Sequence, residues 1–548
     1  MSEELGTFPA SRFATADSAP LRVAVVGAGP AGVYTADILM RQIKAQGPSM
    51  GLPAEAQVDL FEKLPVPFGL VRYGVAPDHP SVKFIMGALE KTLNNPNIRL
   101  FADVEFGKDV TLPDLQRFYD AVIFATGAVD DRPLRLKGHD LQGVYGAAKF
   151  VEWYDGYPDA PLTWPLTARK IAVIGGGNVA MDVSRLLVRY PQDLLGTDIP
   201  DNVYQGLDAN QAQEVRVFVR RDVAHAKFSV QELREMEELP GVQIITDDAD
   251  FELSQETLQV AAEDKLTRQM VEELFSVHDL SLDMEDAGGA DFQGRPARRK
   301  YYLHFNSNPV EILGEDGEVR SIRIERTQTS PDGRMISTGE FTDYPVDAVY
   351  HAIGYKPAQV AGIPYDESAY TLRNEGGRIV TGPKDDGGEG GQKDVAGQNG
   401  DGRNGEGESI IPFTYATGWA KRGPVGLIGS TKSDALDTVS AILNDWAVSG
   451  KAGHIAAETD QDPHAIERFL ADRGIAPMTY QDWRLVDQYE RSEGAKVGRE
   501  HIKVVSADQL RAIGHQTGAE TSVETDAKTG VENDAKANLE TDAKSDID

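Results

Sequence analysis

The run LRVAVVGAGPAG (Leu21–Gly32) joins an apolar strand to a glycine turn, and the segment VYTADILMRQI that follows carries the apolar period of a helix. Gly27, Gly29 and Gly32 fall on the GxGxxG spacing of a dinucleotide-binding turn. The first glycine permits the tight turn, and the second lets the backbone approach a pyrophosphate. The helix N-terminus then offers N–H donors and partial positive charge.

A second copy lies downstream in ARKIAVIGGGNVAMDVSRLLV (Ala168–Val188), where Gly175, Gly177 and Ala180 take the three positions. Two copies imply two nucleotides. The preference of each is legible at the end of its second strand, where the side chain reaches the adenosine ribose. In the first unit that strand is QVDLFEK, whose Glu62 accepts hydrogen bonds from ribose hydroxyls and repels a 2′-phosphate, which suits FAD or NAD. In the second it is VRVFVRR, ending in Arg220 and Arg221, a guanidinium pair suited to the 2′-phosphate of NADP.

Two further segments resemble each other, YDAVIFATGA (119–128) and VDAVYHAIGY (346–355), and they bracket the second unit. They read as two crossings between domains. The expected fold is therefore α/β: two dinucleotide-binding, Rossmann-like three-layer domains, with the NADP domain inserted into the FAD domain. The expected boundaries are a flexible N-terminus at 1–20, the FAD-binding domain at 21–127 and 347–515, and the NADP-binding domain at 128–346. A glycine-rich loop is expected at 384–409, and the repeats ETDAKTGV, ENDAKANL and ETDAKSDI place a disordered acidic tail at 516–548.

Composition narrows the chemistry. The chain of 548 residues has no cysteine, which excludes disulfides, thiolate metal sites, protein-ligated iron–sulfur clusters and dithiol redox work. Redox chemistry must use a bound organic cofactor, and no metal is expected. A net charge of −32 argues against nucleic-acid binding. No stretch approaches a membrane span and the start carries no signal core, so the expected location is the cytoplasm with no membrane partner.

Five motifs in order, VVGAGPAGVYTA, LPVPFGLVRYGVAPDHPSVK, IGGGNVAMD, RRDVAHAKFSVQELREM and GWAKRGPVGLIGS, give a chain that resembles the adrenodoxin reductase type of ferredoxin–NADP reductase. The resemblance implies a flavoenzyme that takes hydride from NADPH onto FAD and passes electrons one at a time to a ferredoxin-type iron–sulfur protein. It implies FAD contacts at Ala31, Glu62, Leu70, Val104, Trp419, Gly426, Leu427 and Ile428 beside the first glycine turn. It implies NADP contacts at Gly175, Gly176, Gly177, Asn178, Val179, Arg220, Arg221, Glu232 and Gly426, and it suggests a monomer. Alternatives within the same cofactor pair are an NADPH diaphorase or quinone reductase, and, from another class, a flavin-binding module without catalysis.

Three polar residues are catalytic candidates. His79, between prolines in APDHP, lies near the flavin in this family, where it could relay protons, and otherwise reads as a loop anchor. Asp182 could orient the nicotinamide amide or stand solvated on its helix. Glu232 stands three residues after Ser229, so SVQE reads as a capping box as well as a nicotinamide contact. A ferredoxin is usually acidic, so docking on this acidic chain needs a local cationic face; Arg295, Arg298, Arg299 and Lys300, or Lys421 and Arg422, are the candidates.

Overall fold

The computed structural model describes residues 20–330, 334–381, 409–426, 428–449 and 462–516. The expected N-terminal segment, glycine-rich loop and acidic tail lie outside the described residues apart from Pro20, Ser409 and Gln516.

The strand Leu21–Val26 is buried along its whole length, and its alternate side chains feed two cores. Val23 and Val25 join one hydrophobic cluster and Ala24 and Val26 another, on opposite faces of the sheet. A strand covered on both faces must be apolar throughout, which is why it reads as a run rather than an alternation. It is central in a seven-stranded sheet. On one side follow Ala56–Glu62 and Ile98–Ala102, and on the other Ala121–Phe124 and Ile410–Ala416, all parallel. Short antiparallel strands Arg378–Val380 and Asn374–Glu375 finish that edge.

The second sheet has six parallel strands in the order Val144–Gly146, Ala348–His351, Lys170–Ile174, Glu214–Phe218, Arg299–His304, Val242–Thr246. An antiparallel three-stranded sheet, Ser307–Glu315, Glu318–Thr329 and Met335–Pro345, covers one face of it. Ile312, Val319, Ile322 and Ile324 of this cover pack on Ala172, Ile174, Phe218 and Val349 beneath. The chain thus builds most of the first sheet, leaves to build the second, and returns, so one Rossmann-like unit is inserted into the other. One expectation is corrected. The strand Ala348–His351 is hydrogen-bonded between Val144–Gly146 and Lys170–Ile174, so the chain leaves the second sheet after His351, not at 347.

Among the described residues no helix is long and apolar enough to cross a membrane.

The two units meet over a buried charge cluster. Lys83 from the first unit donates to both carboxylate oxygens of Asp198 in the second at 2.7 Å. Lys503, from the C-terminal segment, lies 3.0 Å from Asp198 Oδ2 and 3.2 Å from Asp155 Oδ1, and also donates to the carbonyl of Arg72 at 2.8 Å. Arg72 in turn forms a bidentate pair with Glu490 at 3.0 and 2.5 Å. Burial works against the Asp198 charge, but Lys503 and Lys83 outweigh it and hold its carboxyl well below the usual range.

Removing one member of such a cluster leaves buried charge uncompensated, a loss of about 3–5 kcal/mol. Asp198→Ala is therefore expected to destabilise the chain by an amount of that order in urea unfolding. The Asp198 contribution is complete above about pH 4 and lost as pH falls below it. Wild type and variant should accordingly converge in stability on acidification, and a gap that stays constant down to pH 3 would refute the assignment.

Candidate functional site

A cavity of about 650 Å³ opens at the C-terminal ends of the first sheet's central strands, where α/β sheets bind ligands. Its floor is the first glycine turn. Gly27 has φ +112°, and a Cβ there would overlap the carbonyl of Ala125, the residue after the neighbouring strand. A Cβ on Gly29, by contrast, would meet only Gly69 Cα at 3.8 Å, so this position faces open space in the cavity floor. Gly32 points inward onto Gly27 and allows helix and strand to close up.

Glu62 ends the second strand and lines the cavity. Its Oε2 accepts from the Ala28 N–H at 2.9 Å and its Oε1 from the Leu64 N–H at 3.1 Å, so it holds the turn as well as facing the cavity. Burial pushes its carboxyl up against these two bonds. Ala31, Leu70, Val104 and Trp419 complete the walls with Thr431, near the start of the helix Ile428–Ser449. Gly426 is not among the lining residues; it takes φ +84° beside Ser430. Leu427 lies outside the described residues, as does the side chain of Ile428.

Sequence reasoning missed Lys63, Tyr73, Thr126 and Tyr355, which also line the cavity. The buried hydroxyl of Thr126 has no hydrogen-bond partner among the described residues, while that of Tyr73 faces the Arg72 guanidinium. The Thr126 hydroxyl, a glycine floor open to the cavity and a helix N-terminus fit a pyrophosphate-bearing flavin dinucleotide. The available signal was the position of Thr126 in IFATGA, directly after a strand beside the glycine turn.

The second turn repeats the first. Gly175 donates to the carbonyl of Phe218 at 3.2 Å, as Gly27 donates to that of Phe61 at 2.7 Å, and a Cβ on Gly175 would overlap the carbonyl of Ala352. The two mutually similar segments therefore end against the two glycine turns. This register refines the charge comparison. The position matching Glu62 is the buried Val219, which packs against Gly176, and the strand ends at Phe218, so Arg220 and Arg221 sit in the turn beyond it. The second site has lost the carboxylate and gained two cations one and two residues later. Arg220 is exposed and Arg221 half-buried, and neither guanidinium has a carboxylate partner among the described residues. Gly177 meets nothing within 4 Å of an added Cβ, and Asn178 Oδ1 accepts from the Ser229 N–H at 2.9 Å. Val179, in the first turn of the helix Asn178–Val188, lines the 650 Å³ cavity beside Tyr355 and Trp419. The N-terminal turn of the second nucleotide unit thus forms part of the first unit's cavity.

His79, Asp182 and Glu232 come together, but none lines that cavity. His79 Nε2 is 2.8 Å from Asp182 Oδ1 and 3.3 Å from Glu232 Oε2, and Nδ1 is 3.2 Å from Glu235 Oε2. Arg185, buried at the centre, reaches Asp78 at 2.6 Å, Asp182 at 2.5 Å and Glu232 at 2.8 Å. The cluster joins the APDHP loop of the first unit to two helices of the second. Burial opposes a charge on His79, and Arg185 Nη2 lies 2.6 Å from its Nε2, but Asp182, Glu232 and Glu235 outweigh this and raise its pKa to about 12. The capping box is half made: Ser229 accepts from the Glu232 N–H at 3.3 Å, while the Glu232 carboxylate turns to Arg185.

The cationic faces are corrected too. Arg299 is buried, donating to the carbonyls of Val188 and Asn210 and stacked on Tyr190, and Arg295 pairs with Asp291 at 2.8 Å. Only Arg298 and Lys300 of that run are exposed without an ion pair among the described residues. Lys421 is 3.1 Å from Asp434, so the second candidate is also partly neutralised.

Residues 21–267 match the pyridine nucleotide-disulphide oxidoreductase family, although the disulphide chemistry in that description has no cysteine to use here. The chain is 34% identical over 501 residues to the NADPH-ferredoxin reductase FprA of Mycobacterium tuberculosis, covering 90% of this chain and 99% of that one. It is 33% identical over 512 residues to the mitochondrial NADPH:adrenodoxin oxidoreductase of Homo sapiens, covering 92% and 94%. The solved structure of Mycobacterium tuberculosis FprA in complex with NADPH superimposes with a TM-score of 0.76 at 34% identity, over 90% of this chain and 99% of that chain.

The His79 environment makes a pH prediction. The ring should stay protonated from pH 6 to 9 by nitrogen-resolved NMR, and a midpoint near the ordinary 6.5 would refute the network described here. Its stabilising contribution is complete below about pH 6.5 and is lost as pH rises toward 12.

Proposed function

The chain belongs to the adrenodoxin reductase type of NADPH–ferredoxin reductases, and we propose that its two glycine turns and the cavity between them divide the work of that reaction. The protein is a flavoenzyme that passes electrons from NADPH to an iron–sulfur protein. FAD, when bound, supplies the chemistry, accepting a hydride and releasing its electrons singly. The chain's own residues position and select.

In this reading Gly27, Gly29, Ala31, Gly32, Glu62, Leu70, Val104, Trp419, Gly426, Leu427 and Ile428 serve the FAD site, with Thr126 added as a donor and Tyr73 as a wall. Gly175, Gly176, Gly177, Asn178, Val179, Arg220, Arg221, Glu232 and Gly426 serve NADP. The observation that carries the reading is Val179: the first turn of the second nucleotide helix walls the first nucleotide's cavity. Two cofactors seated on their own turns would thereby share one apolar space from which water is excluded. The buried cluster of His79, Asp182, Arg185 and Glu232 fixes that helix against the first unit close to the junction.

The absent carboxylate at Val219 and two arginines with no carboxylate partner among the described residues favour NADPH over NADH. The reading further takes the enzyme as a cytoplasmic monomer, with no membrane or nucleic-acid partner. Its iron–sulfur acceptor would dock on a cationic patch that includes Arg298 and Lys300.

Hydrogen bonds to charged groups contribute about 1.5–3 kcal/mol, or about 10- to 150-fold in affinity. Arg220→Ala with Arg221→Ala should raise the NADPH KM by that order and leave the NADH KM within about twofold. Anaerobic bleaching of the flavin by each nucleotide measures it, and equal bleaching of wild type by NADH and NADPH would sink the selectivity reading. Cytochrome c reduction that requires added ferredoxin separates this activity from that of a diaphorase.

A further inference from the structure

Asp222 directly follows the arginine pair, and its side chain is buried, 5% exposed. It is the N-cap residue of a short turn, Val223–His225, yet its carboxylate makes no bond to that turn's backbone N–H groups. Three side-chain donors from three places converge on it instead. His225 Nδ1 lies 2.6 Å from Oδ1, while Thr257 and Thr329 donate their hydroxyls to Oδ2 at 2.7 and 2.5 Å. Thr257 stands in the first turn of the helix Gln255–Glu263, and Thr329 ends the strand Glu318–Thr329 of the antiparallel cover sheet.

The same strand and the residue before its neighbour Ser307–Glu315 hold the arginines' carbonyls. Thr327 Oγ1 donates to the Arg220 carbonyl at 2.8 Å, and the Asn306 N–H donates to the Arg221 carbonyl at 2.9 Å. Both backbone carbonyls of the pair are thus held while its two guanidiniums have no carboxylate partner among the described residues. Burial opposes charge on Asp222, but His225, Thr329 and Thr257 outweigh it and lower its pKa, so the group stays ionised.

We propose that Asp222 is a positioning residue for 2′-phosphate recognition: its carboxylate locks the arginine turn to Thr257 and Thr329, so that Arg220 and Arg221 are pre-set for the phosphate. The proposal rests on the reading of the arginine pair given above. It assigns the cover sheet a part in nucleotide selection, since Thr327 and Thr329 lie at one end of its central strand.

The sign of the effect makes it decidable. A carboxylate next to a dianion repels it, so electrostatics alone requires that deleting Asp222 tighten binding of a 2′-phosphate. Loss of pre-organisation requires that it weaken. Calorimetric titration of the FAD-loaded protein with 2′,5′-ADP and with 5′-AMP distinguishes the two without reference to turnover. Asp222→Ala is expected to weaken 2′,5′-ADP about tenfold, the order set by re-ordering two long side chains on binding, with 5′-AMP unchanged within about twofold. Thr329→Val should act in the same direction more weakly, and it tests the idea should Asp222→Ala fold poorly. Asp222→Asn, which keeps the shape and one acceptor oxygen, should recover part of the loss.

Unchanged or tighter 2′,5′-ADP binding in Asp222→Ala and Thr329→Val, while Arg220→Ala with Arg221→Ala loses it, overturns the inference and leaves the arginine reading standing. Equal weakening of both probes makes Asp222 a general support of the fold and overturns it as well. Wild-type binding by the double arginine variant removes the arginine reading and the inference together.

Discussion

The mutual orientation of the two nucleotide units is the constraint on which the site depends, and buried ion pairs hold it. Lys83 and Lys503 on one unit grip Asp198 of the other, and a second cluster around Arg185 ties the APDHP loop to the helices Asn178–Val188 and Val230–Glu237. Such clusters are poor sources of net stability compared with apolar packing of the same volume, because each charge must be stripped of water. What they supply is direction. A shifted interface would leave whole charges buried and unpaired, so few orientations other than the observed one are tolerated.

That constraint explains how Val179 comes to border a cavity built by residues far from it in the chain. The helix that carries Val179 also carries Asp182 and Arg185. The residue walling that cavity and the residues fixing the interface therefore lie on successive turns of one rigid element. His79 draws its role from the same geometry. Its ring sits among three carboxylates and the Arg185 guanidinium, so its charge is set by the interface and not by solvent.

The electrostatics of the acidic chain follow a related economy. Several cations that look available in the sequence are consumed inside the fold: Arg299 by carbonyls and Tyr190, Lys421 by Asp434, Arg295 by Asp291. Arg220 and Arg221 contrast with these because neighbouring residues hold their carbonyls and no carboxylate among the described residues pairs with their charge. In a protein of net charge −32, an adjacent cation pair without a carboxylate partner among the described residues is a local reversal of the overall field, as an anionic ligand requires.

The sequence by itself determined the two strand, turn and helix units, their nesting, and the sign of the charge beyond each second strand. Those features are local: glycines where no Cβ fits, apolar runs where both faces are covered, and an acid or a base within a few residues of the turn. It also placed the two similar segments as paired, although their ends press on the two glycine turns and one of them belongs to the second sheet. Only the tertiary structure decided that Val219, not an arginine, matches Glu62, that Glu232 turns from its cap to Arg185, and that basic runs are spent internally. It also revealed Thr126 and Tyr73 in the cavity wall. Each of these depends on which carboxylates, carbonyls and rings from distant parts of the chain arrive within about 3 Å of a polar atom. Spacing along one strand or helix does not carry that distance.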